Sequence, residues 1–113
     1  MARVLMGDFG AIVRLGLWDI LEEGSDLMTE ETATGDVLQR IVTLVPDVVI
    51  LDLDLPGIEA LARRISDGFP AVQVIACSSA EPSMRIYPPF HRGESYLDAL
   101  TPARLVKAIR GMR

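Results

Sequence analysis

Pro46-Asp47-Val48-Val49-Ile50-Leu51-Asp52-Leu53-Asp54-Leu55-Pro56-Gly57 is the stretch on which the fold turns. Its apolar residues Val48 to Leu51 run without alternation, which marks a short strand covered on both faces, as in a parallel sheet layered by helices. Pro56-Gly57 then supplies a turn.

Working outward, Val4-Leu5-Met6, Leu27-Met28, Val72-Gln73-Val74-Ile75-Ala76 and Tyr96-Leu97 read as further strands, with the Leu27-Met28 run the weakest signal. Helix-length segments separate them. Val13, Leu17, Ile20 and Leu21 share one face of a first helix, and Val37, Leu38, Ile41 and Leu44 share one face of a second. Gly24 and Gly35 punctuate these segments, and Leu61 and Ile65 mark a short third helix. Thr101-Pro102 offers an N-cap followed by proline at the first helical position, ahead of Leu105, Val106 and Ile109. Five strands alternating with helices predict an α/β fold: a flavodoxin-like, doubly wound, parallel five-stranded sheet.

One segment breaks the rhythm. Ser83-Met84-Arg85-Ile86-Tyr87-Pro88-Pro89-Phe90-His91-Arg92-Gly93 stands where a fourth helix belongs, and its adjacent prolines interrupt a helix at or before Tyr87. The fourth helix is expected to be short, displaced or missing.

The chain has 113 residues, 50% of them hydrophobic and 24% charged, which suits one compact domain over 1–113 and excludes intrinsic disorder. Sixteen acidic against 11 basic residues give a net charge of −5, and no Lys/Arg cluster could follow a phosphate backbone, so direct nucleic-acid contact is not expected. Cys77 is the only cysteine, which excludes an internal disulfide and Cys-based metal spacing; a reducing cytoplasm is the expected setting. Neither a signal peptide nor a membrane-spanning apolar run is visible.

In an open α/β sheet, ligands bind at the carboxyl ends of the strands. Asp8 follows the first strand, Asp52 ends the third, and Asp54 stands two residues later. Carboxylates gathered at one edge suit a hard cation such as Mg²⁺, and one of them can accept a phosphoryl group. Ser78-Ser79, after the fourth strand, could donate hydroxyls to it. The same residue types also build turns and helix caps, so spacing alone leaves both readings open.

The stretch from Pro46 to Gly57 resembles the phosphoacceptor segment of two-component response regulator receiver domains. Arg3-Val4-Leu5, Asp8 and Val13-Arg14-Leu15-Gly16-Leu17 resemble their opening. The likeness covers essentially the whole chain. Its flavour is that of receivers attached to LuxR-type DNA-binding regulators, in which Thr101-Pro102-Ala103-Arg104-Leu105-Val106-Lys107-Ala108-Ile109 also has a counterpart. The resemblance implies Asp52 as the phosphorylated aspartate and Asp8, Asp52 and Asp54 as metal-binding positions, Asp54 through its backbone carbonyl. It implies Ser78 as the switch hydroxyl.

The same resemblance exposes departures. The second acidic position is Phe9, which cannot bind a cation, so any Mg²⁺ site is weak. The position of the expected lysine is Asp98, or Ala99 if the register slips by one; the Asp98 charge would repel a phosphoaspartate beside it, and Lys107, in the last helix, is the sole lysine. The loop after Pro56-Gly57 is about two residues short of the family pattern, and the aromatic paired with the switch is one residue off, at Tyr96. These departures converge on an atypical, pseudo-receiver reading: a non-enzymatic module acting by protein contact. The expected partners are a second copy, bound through the last helix and the region before it, and an attached or associated LuxR-type DNA-binding domain. One alternative is a working receiver phosphorylated on Asp52 by a histidine kinase. Another is a small-ligand sensor whose Ser83–Gly93 loop borders the phosphorylation pocket.

Among the remaining residues, His91 reads as a solvated loop residue, Cys77 as a buried small hydrophobe and Trp18 as packing. Tyr87, Phe90 and the prolines carry an alternative reading, an exposed apolar loop that meets a partner or a small ligand.

Overall fold

The computed structural model describes residues 2–23, 27–91 and 93–110. Strands β1 (Ala2–Met6), β2 (Leu27–Glu31), β3 (Val48–Asp52) and β4 (Gln73–Ser78) pair in parallel, in the order β2-β1-β3-β4. Helices α1 (Ala11–Glu23), α2 (Val37–Leu44), α3 (Ile58–Gly68) and α4 (Pro102–Ile109) occupy the segments that the 3.6-residue periodicity marks. A 3-10 turn at Thr34–Asp36 leads into α2. Thr101 caps α4 as its sequence predicts, its Oγ1 accepting the Arg104 N–H at 3.1 Å. The punctuation assigned to Gly24 lies outside the described residues.

The sheet has two apolar faces, and helices cover both. On one, Val4, Met6, Val48, Ile50 and Ile75 pack with Leu17 and Leu21 of α1 and Leu105 and Ile109 of α4. On the other, Leu5, Val49, Leu51 and Val74 pack with Val37 and Ile41 of α2 and Ile58, Ala62 and Ile65 of α3. This two-sided burial explains the unbroken apolar runs of β3 and β4. The doubly wound, flavodoxin-like reading therefore holds, with one correction.

The sheet has six strands, and it is not wholly parallel. The expected fourth helix is replaced by a strand, β5 (Ser83–Tyr87), which pairs antiparallel with β4. The last strand, β6 (Tyr96–Ala99), pairs antiparallel with β5, so β5 stands between β4 and β6. The cause is local. Ser83-Met84-Arg85-Ile86-Tyr87 alternates, placing Met84 and Ile86 in the α1/α4 core and Tyr87 in the α2/α3 core. Pro88-Pro89 then stops the ladder. The alternative of an exposed apolar loop holds only at Phe90, which is 74% accessible, because Tyr87 is buried and Pro88 and Pro89 are half-buried. Of the segment from Ser83 to Gly93 expected as a loop, Ser83–Tyr87 is therefore ladder.

Candidate functional site: the carboxyl edge of the sheet

Asp8, Asp52, Asp54 and Ser78 all reach the carboxyl edge of β1, β3 and β4, as their positions after these strands require. The side chains divide into two separate hydrogen-bonded sets. Asp8 Oδ2 accepts the Thr34 N–H at 2.9 Å, while Thr34 Oγ1 accepts the Asp8 N–H at 3.1 Å. Asp8 thus ties the β1 end to the turn that opens α2. Gly7 permits the approach, because a Cβ there would stand 3.1 Å from Thr34 Oγ1 and 3.2 Å from Leu51 Cδ2.

The second set centres on Asp54. Its Oδ1 accepts the Ser78 hydroxyl at 2.7 Å, and its Oδ2 accepts the Ser79 N–H at 3.1 Å, the Ser79 hydroxyl at 3.3 Å and the Ala80 N–H at 3.4 Å. These donors, the Ser78 hydroxyl foremost, hold the Asp54 carboxyl below its ordinary range. Ser78 Oγ also accepts the Glu81 N–H at 3.3 Å. The Ser78 hydroxyl is thus engaged by Asp54 and by its own turn.

Asp52, half-buried at the end of β3, accepts the Asp54 N–H on Oδ1 at 2.9 Å, an Asx turn that shapes the β3–α3 connection. Gly57, at φ 78°, then starts α3 in the left-handed region. Across the ladder Asp52 pairs with Cys77, whose thiol is pushed up to about 12 by burial and, secondarily, by the Asp52 charge.

The other two flagged positions lie elsewhere. Phe9 packs partly buried against the α1/α4 core. Beside it, Gly7, Asp8, Thr32 and the ion-paired Arg14 and Glu31 line an open cleft. Asp98 is three strands from Asp52 along one register line, Asp52–Cys77–Met84–Asp98, or ~14 Å at the usual strand spacing. Its carboxylate pairs with Arg104 Nη1 at 2.7 Å. The structure thus places Asp98 three strands from Asp52 and pairs its carboxylate with Arg104, where the expectation set it beside the phosphoacceptor position.

Among the described residues, no three or more Asp, Glu, His or Cys side chains gather where one cation could meet them. Mg²⁺ demands near-octahedral oxygen ligation. Here Phe9 offers no oxygen, both Asp54 oxygens face the β4 turn and Asp8 Oδ2 faces Thr34. This donor set does not fit a resident Mg²⁺. The sequence reading missed Thr34, which contacts Asp8 across 26 positions with no motif linking them, and, although it placed the Asp54 carboxylate at this edge, it missed that carboxylate's bonds to Ser78, Ser79 and Ala80.

No family model matches the chain. Similar proteins nevertheless agree in kind. The transcriptional activator protein ExaE of Pseudomonas putida is 37% identical over 76 residues, 64% of this chain and 36% of that protein. A protein-glutamate methylesterase/protein-glutamine glutaminase of Oleidesulfovibrio alaskensis is 35% identical over 81 residues, 68% of this chain and 22% of that protein. The chemotaxis protein CheY of Thermotoga maritima is 27% identical over 113 residues, 95% of this chain and 93% of CheY. The chain thus spans about a third or less of the first two and nearly all of the third. With the two-faced α/β sheet and the aspartate at the end of β3, these similarities define the class: the chain belongs to the response regulator receiver domains of two-component systems. No helix among the described residues is long and apolar enough to cross a membrane.

Proposed function

We propose that this chain, as one receiver-like domain over residues 1–113, is an atypical receiver of a transcription regulator that works by protein contact, with phosphorylation weakened or absent and no catalysis of its own. The observation that carries this reading is β5. Its insertion removes the fourth helix and takes the strand that would bring a cation to Asp52 three positions away. Two further observations support it. The Ser78 hydroxyl is bonded to Asp54, and Phe9 stands where a metal carboxylate is needed. The similarity to the activator ExaE supports an attached or associated DNA-binding output of the LuxR type, and homodimerisation is part of the proposal.

The second reading, a phosphoacceptor served by a histidine kinase, draws on Asp52 itself, which keeps its place at the β3 end. Intact-protein mass spectrometry after incubation with acetyl phosphate separates the two. We expect no phosphoryl adduct with or without Mg²⁺. A prompt adduct that needs the metal and disappears in Asp52→Asn would establish the phosphoacceptor instead.

A further inference from the structure

The inserted strand leaves β6 as an outer edge of the sheet, and its hydrogen-bond parity shows which groups face outward. The Leu100 N–H donates to Pro82 O at 3.1 Å, one step beyond the Ser83–Ala99 pair. In an antiparallel ladder bonded and non-bonded pairs alternate, so Asp98 and Tyr96 bond to β5 while Leu97 and Ala99 turn their N–H and C=O outward. The Ala99 N–H is already held by Asp98 Oδ1 at 2.8 Å. Leu97 therefore presents the open donor and acceptor, beneath a side chain that is 59% accessible.

The two edges of the sheet differ in a way that bears on pairing. At the other edge β2 ends in Glu30-Glu31, ion-paired to Arg40 and Arg14. Such charges blunt an edge against strand addition. The edge at β6 has apolar Leu97 and Tyr96 and a single anion, Asp98, paired with Arg104 as the glutamates are with Arg40 and Arg14. Beside it lies a groove of about 420 Å³ lined by Ile86, Tyr96, Asp98, Arg104 and Lys107.

Resting on the protein-contact reading above, we infer that β6 pairs antiparallel with β6 of a second copy across a two-fold axis through Leu97, joining two sheets into one. A two-fold perpendicular to the sheet makes residues directly opposite share a face, so the axis must pass through a residue. Centred on Asp98, two carboxylates would oppose each other; centred on Tyr96, Asp98 would oppose Glu94 of the other copy. Like charges directly opposite destabilise a sheet. Centred on Leu97, each Asp98 instead meets the other copy's tyrosine phenol, and the two Leu97 residues exchange both backbone hydrogen bonds.

Sedimentation of the 113-residue chain over a concentration series, with Leu97→Lys beside it, gives the first test. The expected result is a wild-type dimer and a folded Leu97→Lys monomer, with Met28→Lys on the β2 edge still dimeric. Leu97→Cys supplies a second readout, since Cα atoms of a bonded pair lie ~5.5 Å apart, within disulfide reach, and Cys77 is buried. Oxidation should cross-link Leu97→Cys well above Asp98→Cys. A strictly monomeric wild type would overturn the inference. A dimer that survives Leu97→Lys without cross-linking at position 97 would also overturn it while leaving the protein-contact reading intact, and a metal-dependent phosphoryl adduct on Asp52 would break that reading alone.

Discussion

At Asp54 one carboxylate collects four donors from a turn 24 to 26 residues further along the chain. It is the clasp between the β3–α3 and β4–β5 connections, and its protonation should loosen both. A depressed folded-state value means that the contribution is present above the ordinary 3.8 and is lost as pH falls through the folded value. Asp54→Ala should therefore lower Tm at pH 7 by a few degrees, and the gap between wild type and variant should narrow as pH falls below 3.8. Thermal unfolding followed by circular dichroism at pH 7 and below pH 3.8 checks this, and a gap independent of pH would show that the carboxylate is not the clasp. Asp8 makes a comparable link to Thr34. Both aspartates were legible as residues of the carboxyl edge, because each stands two residues beyond the end of a strand. Their partners were not, since a hydrogen bond across 24 or 26 positions leaves no trace in local spacing.

Among the elements, β5 separates what a sequence reading can deliver from what only packing decides. The double proline announced that no helix passes Tyr87, and that expectation held. Period-2 alternation over Ser83–Tyr87 was also on view, but five residues between two turn-rich stretches also fit a loop. What selects the strand is burial: beside β4, Met84 and Ile86 enter one core and Tyr87 the other, so this segment takes the edge that β6 would otherwise pair with. The same insertion sets the surroundings of Tyr96, which pairs with Ile86 of β5 and not with β4. If β5 is core structure, Ile86→Ala removes side-chain bulk from the α1/α4 core and should cost about 2–5 kcal/mol in urea unfolding. Substitution in a surface loop usually costs within about 0.5 kcal/mol, so a value near zero would place the segment outside the sheet.

For the molecule as a whole, the legible part of the fold was the part that strict periodicity encodes: four parallel strands, four helices and two covered faces. The illegible part was the order of strands at one edge, which depends on competition between β5 and β6 for the same neighbour. This asymmetry should appear in the distribution of stability. The strands β1, β3 and β4 have partners on both sides and helices over both faces, so their amides should open only with global unfolding. Strand β5, bonded on both sides by β4 and β6, should join them, whereas β2 and β6 have one neighbour each and should exchange through local opening. Hydrogen exchange resolved by residue gives a sharp contrast, since Arg85 and Tyr87 have the alternation to bond β4 while Leu97 faces outward. In dilute solution, where a two-chain sheet has dissociated, slow exchange at Arg85 and Tyr87 with fast exchange at Leu97 is expected. Fast exchange throughout Ser83–Tyr87 would return β6 to the side of β4, restore the expected five-stranded order and bring Asp98 back toward Asp52.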